Sequence, residues 1–425
     1  MTRPIEQQYL PLRKVVAIGV GNALEFYDFI TFSFFAIQIS HSFFPESQTS
    51  HGLIYSLATF GVGFLTRPLG GVVIGMYGDR VGRKPAMVLS FALMGASILG
   101  VALTPSYSQI GIAAPILLAI FRLAQGFALG GEVGPSTAYL VEAAPPYRRG
   151  LYVSIQFMTQ DLAVLAAGLA GFLLTTWLTP AALDAWGWRV AFLIGATIVP
   201  LGLHMRRKLP ETLHDADPPS ATAEQRRAPV RLIVLALLLM MASMIYIYGL
   251  DYITTYAQDS LHMRPASAFG ATVMLGLCAV VADPISGFLS DRIGRRPVLL
   301  GAALVLVLLL VPAYWLMTEL TSAPIIFGTM GILAVLQAFF ATPALVTVTE
   351  SFPKAVRSSA LAIIYAVAVS VFGGSTQFAI KTLIDLTGSA LAPAWYMTGA
   401  VLIGGVAMSL MQETAPVKTG LASGH

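Results

Sequence analysis

The chain has 425 residues, of which 56% are apolar and only 11% are charged, and its mean hydropathy is +0.76. A soluble domain averages about 25% charged residues, so this composition excludes a soluble globular protein and indicates many membrane-spanning segments. The net charge is +4, and the single cysteine, Cys278, lies in an apolar stretch, which excludes disulfide bonds and cysteine metal clusters.

Apolar stretches of about 20 residues, the length that crosses a bilayer core of about 30 Å, recur along the whole chain. We predict twelve membrane-spanning helices, named span 1 to span 12, with six in each half. Their approximate bounds are 15–38, 53–76, 86–104, 111–140, 151–178, 188–206, 231–257, 266–289, 298–317, 323–349, 358–384 and 393–411. Span 1 is too long for a cleavable signal peptide and has no small-residue cleavage site after it, so we expect it to act as a signal anchor.

The lysines and arginines predict how the spans are oriented. Most of the 25 fall in the terminal segments and in every second loop, whereas Arg189 and Arg264 fall in loops of the opposite side, and Arg67, Arg122 and Lys381 lie within spans. The side rich in Lys and Arg is normally cytoplasmic, which predicts a multi-pass protein of a bacterial inner membrane with both termini inside. The basic loops then face anionic lipid headgroups, so we predict membrane lipids and no nucleic acid as partners.

The least apolar interior stretch lies between spans 6 and 7. It contains several charges and the sequence Asp-Ala-Asp-Pro-Pro-Ser, which is typical of a flexible linker. We therefore predict an N-terminal six-helix bundle at 1–206, a cytoplasmic linker at 207–230 and a C-terminal six-helix bundle at 231–425.

Two loops occur twice, half a chain apart. The segment 75–85 (GMYGDRVGRKP) between spans 2 and 3 returns as 287–297 (GFLSDRIGRRP) between spans 8 and 9. Similarly, 142–148 (EAAPPYR) after span 4 is matched by 350–357 (ESFPKAVR) after span 10. Both pairs predict an internal duplication, and a charged hairpin repeated between membrane helices is typical of transporters.

These loops, with twelve spans in two halves, resemble the major facilitator superfamily, whose loop pattern G-x-x-x-D-R-x-G-R-[RK] is matched from Gly75 to Lys84. More specific segments resemble the metabolite:proton symporter family, and most closely its citrate and tricarballylate carriers. These segments are 21–29 (GNALEFYDF), 67–71 (RPLGG), 122–126 (RLAQG) and 186–195 (WGWRVAFLIG). Citrate carriers of this family tend to read Glu-Gln-Phe-Asp where this chain has Glu-Phe-Tyr-Asp at 25–28, which leaves the carried acid open.

The resemblance implies an all-α membrane protein with two pseudo-symmetric six-helix bundles, which rock about a central site. It implies import of a tricarboxylate such as citrate, or of a related dicarboxylate, together with protons by alternating access. The implied protein is a monomer without a cofactor or metal ion. The repeated hairpins are implied to gate the conformation, through an Asp that meets a helix N-terminus and Arg residues that meet acids. The gating residues so predicted are Asp79, Arg80, Gly82, Arg83, Glu142, Asp291, Arg292, Gly294, Arg295 and Glu350.

Ionisable residues at membrane depth are costly to bury, which makes each of them a functional candidate. Asn22, Glu25 and Asp28 are spaced by three residues, so they share one face of span 1 within an arc of about 120°. Such a face must look into the bundle or into a wet cavity. The other deep acids are Glu132, Asp161, Asp251 and Asp283, with Asp385 nearer a span end.

Two arginines are predicted near the middle of the bilayer. Arg67 lies about 18 Å from the cytoplasmic hairpin, and Arg122 reaches a similar depth in span 4. Two guanidiniums at this depth would grip carboxylates through paired hydrogen bonds. Alternatively, they neutralise Glu25, Asp28 and Asp161.

Competition for these arginines provides a mechanism for proton coupling. Burial raises the pKa of a carboxyl group and a neighbouring arginine lowers it, so a substrate that engages Arg122 would release an adjacent acid to take up a proton. The predicted proton carriers are Glu25, Asp28, Glu132 and Asp161. The predicted substrate-binding residues are Asn22, Tyr27, Arg67, Arg122, Gln125, Gln160 and Tyr365. The six histidines fall in or near loops and chain ends, which argues against a histidine relay.

Other functions remain open at this stage. A symporter of a zwitterionic osmolyte such as betaine or proline is the nearest alternative, and an aromatic cage would favour it. A metabolite or drug exporter is less consistent, because span 5 lacks the proline typical of antiporters of the superfamily, and a sugar porter fits two buried arginines poorly. We do not predict an enzyme, because no nucleophile stands with a base and no His or Cys residues cluster.

Overall fold

The computed structural model describes residues 22–23, 26–44, 51–81, 83–130, 137, 140–141, 144–207 and 229–420. Helices occupy nearly all of these ranges, and no strand occurs within them. The predicted linker falls almost wholly outside the described residues. The helices are 26–34 and Ala36–Phe43 (span 1), Gly52–Leu65 and Arg67–Val81 (span 2), Arg83–Leu103 (span 3), Ala113–Leu129 (span 4), Arg149–Trp177 (span 5), Trp188–Arg207 (span 6), Val230–Asp251 with Ile253–Asp259 (span 7), Pro265–Ile293 (span 8), Arg295–Glu319 (span 9), Ala323–Ser351 (span 10), Lys354–Val367 and Gly374–Thr387 joined by the π-helical turn Ala368–Gly373 (span 11), and Ala392–Leu410 (span 12).

Eight helices in the described part of the chain are long and apolar enough to cross a membrane. They correspond to spans 2, 5 and 7 to 12, while spans 3 and 4 contribute shorter apolar helices. Large apolar side chains such as Leu65, Trp177 and Leu386 are exposed on the outside of the bundle. In a bilayer this surface contacts lipid chains, so its exposure is favourable.

Spans 2 and 4 approach so closely that their backbones touch. A Cβ atom at Gly126 would lie 1.5 Å from the carbonyl oxygen of Gly63, and the Thr66 hydroxyl donates to the Leu123 carbonyl at 2.5 Å. Small residues permit this approach in membrane helices. The contact places the helix that carries Arg67 directly beside the helix that carries Arg122.

The two halves meet along the whole length of spans 5 and 8. A Cβ atom at Gly150 would lie 2.5 Å from the Gly287 carbonyl oxygen at one end, and a Cβ atom at Gly171 would lie 2.1 Å from the Phe269 ring at the other. In the middle, a Cβ atom at Gly276 would lie 2.6 Å from the Leu165 nitrogen. We call this contact between spans 5 and 8 the central seam, and it is closed at both ends.

Candidate transport site

A narrow cavity lies between the halves. Its free volume is about 20 Å³, which accommodates about one water molecule. The cavity is lined by Phe26, Ile30, Phe157, Gln160, Asp161, Val164, Met244, Ile247, Tyr248, Asp251, Gln337 and Tyr365. A tricarboxylate is far larger than this volume, so the surrounding spans must move apart before the cavity can hold one.

Arg122 lies wholly buried among aromatic rings. Its guanidinium carbon is 4.4 Å from the ring centroids of both Phe29 and Phe32 and 5.4 Å from that of Phe60. A ring face attracts a cation, and more strongly when water is excluded. The side chain also donates to the Gln125 amide oxygen at 2.7 Å. These contacts hold the positive charge in place, and no direct ion pair of Arg122 occurs among the described residues.

Gln125 connects Arg122 to the acid of span 1. Its amide nitrogen donates to the Asp28 carboxylate. Asp28 is 1% exposed, and its second carboxylate oxygen has no hydrogen-bond partner within the described residues. The Gln125 amide therefore lies between Asp28 and Arg122 and is hydrogen-bonded to both.

Arg67 stands on the other side of this aromatic group, next to the cavity. Its guanidinium carbon is 4.6 Å from the Phe29 centroid and 4.4 Å from the Phe64 centroid, and the guanidinium is close enough to Tyr248 of span 7 to interact with its hydroxyl group. The Phe29 ring is thus a neighbour of both buried arginines. The structure brings Arg67, Arg122, Gln125 and Asp28 together, as the sequence predicts.

A second polar group consists mainly of acids and amides, of which Asp161, Asp251 and Gln337 line the cavity. The Asp161 carboxyl of span 5 is close enough to interact with the Asp283 carboxyl of span 8, and the Gln337 amide donates to Asp161 at 3.4 Å. Asp251 of span 7 is close enough to interact electrostatically with Asp161. Within the described residues, the side chains that act on Asp161 are these acids and the Gln337 amide, and no arginine is among them.

Two predicted substrate-binding residues point elsewhere. The Tyr27 hydroxyl donates to the Ala191 carbonyl of span 6 at 3.1 Å, so it packs inside the N-terminal half and lies outside the cavity. The Asn22 amide donates to the Gln156 carbonyl at 3.1 Å and to the Thr159 hydroxyl at 3.2 Å. Asn22 therefore joins spans 1 and 5, and neither Asn22 nor Tyr27 is among the residues that line the cavity.

Three predicted acids, Glu25, Glu132 and Glu142, lie outside the described residues. In contrast, Gln160 and Tyr365 both line the cavity, one from each half. Four of the predicted substrate-binding residues therefore lie at or beside the cavity: Gln160, Tyr365, Arg67 and Arg122.

The second hairpin forms an ion cluster where spans 5, 8, 9 and 10 meet. The Asp291 carboxylate accepts hydrogen bonds from the backbone nitrogens of Gly150 and Leu151, at 2.8 and 2.9 Å, so it meets the N-terminus of span 5. Arg295, which is 0% exposed, lies 2.7 Å from Asp291 and 3.3 Å from Glu350. A carboxylate is favourable at a helix N-terminus. The hairpin of one half is thereby bound to a helix of the other.

Gly294 makes the turn of this hairpin possible. Its φ of 110° is rarely adopted by residues with a Cβ atom, and a Cβ there would lie 2.7 Å from a Glu413 carboxylate oxygen. Glu413 accepts from the backbone nitrogens of Arg295 and Arg296, at 2.9 and 3.0 Å. The guanidinium of Arg292 stacks on Phe288 instead, 4.3 Å from the ring centroid.

The first hairpin is described only in part. Arg80 is exposed at the end of the span 2 helix, whereas Gly82 and the side chains of Asp79 and Arg83 lie outside the described residues. Near the opposite end of the bundle, Lys381 pairs with Asp385 at 2.8 Å and also with Asp259 of span 7 at 2.9 Å.

Sequence reasoning missed part of this arrangement. It places Asp251 and Asp283 at membrane depth but does not group them with Asp161, because helix periodicity relates residues only within one span. The sequence gives only a weak indication of the rings that surround Arg122, namely several phenylalanines on one side of span 1. Their relation to Arg122 can be recognised only when span 4 is known to lie beside span 1.

The Major Facilitator Superfamily model matches residues 18–376 and, in a second match, 254–424. The chain is 34% identical to a citrate-proton symporter of Salmonella typhi, covering 93% of each chain. It is 32% identical to an alpha-ketoglutarate permease of Escherichia coli, covering 90% of each, and 32% identical to a proline/betaine transporter of the same species, covering 95% of this chain and 84% of that one. Among solved structures, a partially occluded inward-open form of the xylose transporter of Escherichia coli matches with a TM-score of 0.74 at 17% identity, covering 95% of this chain and 98% of the other.

The fold and these matches define a polytopic secondary transporter. The chain belongs to the major facilitator superfamily, and its twelve spans form the two pseudo-symmetric six-helix bundles of that fold. The predicted resemblance to the metabolite:proton symporters, and especially to the citrate carriers, is confirmed by the relatives. These relatives are named as transporters, and the apolar helices agree with a multi-pass membrane protein.

Proposed function

We propose that this protein is a proton-coupled symporter that imports a di- or tricarboxylate by alternating access. The observation that carries the proposal is the pair of buried guanidiniums, Arg67 and Arg122, which share the Phe29 ring and stand beside the Asp28 carboxylate. Relatives named as a citrate-proton symporter and an alpha-ketoglutarate permease support a carboxylate substrate. The distribution of Lys and Arg supports cytoplasmic termini in a bacterial inner membrane.

Coupling follows from competition between two carboxylates for Arg122. In the closed structure Gln125 donates to Asp28 and accepts from Arg122, so the amide joins the acid and the base. A substrate carboxylate that binds Arg122 through two hydrogen bonds replaces Asp28 as its anionic neighbour. Asp28 then takes up a proton, because an ionised acid without a cation nearby is costly in this buried site.

The hairpin cluster acts as the cytoplasmic gate in this proposal. Asp291 is bound to the first residues of span 5, and these hydrogen bonds must break when the halves separate on that side. Arg295 and Glu350 stabilise the hairpin while it is engaged. In this proposal a corresponding gate belongs to the N-terminal half. It consists of the first hairpin, with Asp79, Arg80, Gly82 and Arg83, and of the acid Glu142.

Uptake into proteoliposomes tests the substrate and the role of Arg122 together. Labelled citrate and α-ketoglutarate are offered with and without an inward proton gradient, to wild type, Arg122→Lys and Arg264→Ala. We expect gradient-driven accumulation by wild type and by Arg264→Ala, since Arg264 is exposed in a loop. Arg122→Lys should lose most uptake, because a lysine cannot make the bidentate contact. Accumulation of neither acid by wild type, or full activity of Arg122→Lys, would contradict the proposal.

A zwitterionic osmolyte is the second candidate, and one observation favours it. The cavity is also lined by Asp161 and Asp251 and by the rings of Tyr248 and Tyr365, which would suit an ammonium group. A proline/betaine transporter is among the relatives. In the same proteoliposomes, accumulation of proline or betaine with no uptake of either acid would select this candidate.

A further inference from the structure

Asp161 and Asp283 make a carboxyl–carboxyl contact in the middle of the protein. The two carboxyl groups are close enough to interact with each other, and they are 5% and 1% exposed. An ionised carboxylate has no hydrogen to donate, and two ionised carboxylates repel each other in a buried site, so the pair is favourable only when one of the two acids carries a proton. Such a proton would be shared between a residue of each half.

Within the described part of the chain, the side chains that hydrogen-bond to the pair are polar and uncharged. Gln337 donates to Asp161 at 3.4 Å, and the Thr342 hydroxyl donates to Asp283 at 3.3 Å. The Gln337 amide oxygen and one Asp283 oxygen have no hydrogen-bond partner within the described residues, although both residues are more than nine-tenths buried. Each of these two oxygens can accept a hydrogen bond when a proton is added to the pair.

The titratable groups that face the pair are acids and phenols. Asp251 of span 7 acts on Asp161 electrostatically, and the hydroxyls of Tyr248 and Tyr365 line the same cavity. In the described part of the chain no three metal-ligand side chains converge closely enough to hold a metal ion. A proton is therefore the ligand that this group of residues fits.

The position of the pair links its protonation to closure. Asp161 and Asp283 lie within the central seam, between the contact of Gly150 with Gly287 and the contact of Gly171 with Phe269. If the shared proton leaves, two negative charges face each other in a medium of low dielectric and repel strongly. That repulsion acts directly across the surface along which the halves are packed.

We propose that Asp161 and Asp283 form a proton-binding site that joins the two halves, and that the central seam closes only with one proton bound there. The proton comes from water that reaches Asp161 through the cavity when the halves part, and it is held between the two carboxyl groups on closure. The inference deepens the proposed proton coupling and rests on it, adding Asp283 as the second half of the site.

Two label pairs report closure without any carboxylate substrate. In a Cys278→Ala background, spin labels are placed on Trp177 with Leu320 at one end, and on Tyr147 with Val417 at the other; all four residues are exposed. Pulsed-EPR distances are recorded in nanodiscs from acidic to alkaline pH. In the protein without further substitutions, we expect the fraction of molecules with a short distance between the two labels to fall as pH rises. This fall should be seen for one label pair or for both.

Asparagine at either position should remove this pH dependence. Asp161→Asn and Asp283→Asn keep the shape of a protonated acid and its ability to donate, so we expect both variants to stay closed at alkaline pH. Asp385→Asn is the control, since it removes an acid from the Lys381 pair outside the seam and should behave like wild type. An unchanging wild type, Asn variants that open like wild type, or an equal loss in Asp385→Asn would each overturn the proposal.

Infrared spectroscopy of the unmutated chain provides a measurement that does not depend on variants folding. A protonated buried carboxyl group gives a C=O stretching band, which should disappear on alkaline titration in parallel with opening. Absence of this band in the closed protein would overturn the inference. These measurements use no substrate, so they test the proton site separately from the transported acid. A protein that does not take up carboxylates could still have the proton site, and a protein without the proton site could still take up carboxylates.

Discussion

Ser33 of span 1 and Gln377 of span 11 hydrogen-bond each other across the two halves, with the Ser33 hydroxyl 2.6 Å from the Gln377 amide nitrogen and 2.9 Å from its amide oxygen. Both side chains are buried, and Gln377 also donates to the Tyr248 carbonyl at 3.4 Å. The pair is thus a polar link between the halves, separate from the acids of the central seam.

A double-mutant cycle on this pair tests whether the link stabilises the closed form. Gln377→Leu should lower the thermal stability of detergent-solubilised protein, because it leaves the buried Ser33 hydroxyl without a partner, at a cost of about 1–3 kcal/mol. Adding Ser33→Ala should recover part of the loss. Additive effects of the two single changes would show that the hydrogen bond contributes no coupling.

The aromatic ring shared by both arginines should influence substrate affinity. Phe29→Leu removes a ring that lies 4.6 Å from Arg67 and 4.4 Å from Arg122, so each cation loses a contact of about 0.5–2 kcal/mol. We expect KM for the transported acid to change severalfold, while the amount of folded protein stays near wild type. The matched control is Phe43→Leu, because Phe43 packs on Trp188 away from the arginines. Equal effects of the two changes would refute a specific role for Phe29.

The buried arginine of the second hairpin should be essential for stability. Arg295→Gln removes the cation that pairs with the buried Asp291 and leaves Glu350 with Arg149 alone, and breaking a buried ion pair in this way costs about 3–5 kcal/mol. Loss of folded protein in fluorescence-detected size exclusion is the expected result. Arg292→Gln serves as the comparison, since Arg292 stacks on Phe288 and should be tolerated. Similar profiles for the two variants would contradict the assignment of Arg295 as the structural cation.

The backbone contact between spans 2 and 4 predicts a severe effect of one methyl group. Gly126→Ala would place a Cβ 1.5 Å from the Gly63 carbonyl oxygen, which forces the helices apart at a cost of about 1–3 kcal/mol or more. Since this contact positions both arginines, uptake should fall together with stability. Gly399→Ala is the matched change, because a Cβ at Gly399 meets nothing within 4 Å. A stable and active Gly126→Ala protein would show that the spacing is adjustable.

Hydropathy predicts the fold of this protein well, because in a membrane the length of each apolar stretch is fixed by the bilayer. The predicted helices therefore correspond to observed ones, with span ends shifted by a few residues, as in span 9, which begins at Arg295. The contacts of the second hairpin could also be predicted from the sequence. Asp291 contacts a helix N-terminus and Arg295 pairs with Glu350, as expected.

The site was harder to predict, for a geometric reason. A helical period shows that Asn22 and Asp28 share a face but not which neighbouring helix each meets, and they meet spans 5 and 4 respectively. Tyr27, beside Asp28 in sequence, turns toward span 6. The meeting of Asp161 with Asp283 depends on how two distant helices are packed, and one sequence does not record that packing.

The closure of the central seam at both ends has an electrical consequence. With Gly150 packed against Gly287 at one end and the Phe269 ring packed against Gly171 at the other, spans 5 and 8 leave little room for water between them. Protons that leaked along this contact would dissipate the membrane potential. The close packing of the two spans therefore helps to preserve the gradient that drives a secondary transporter.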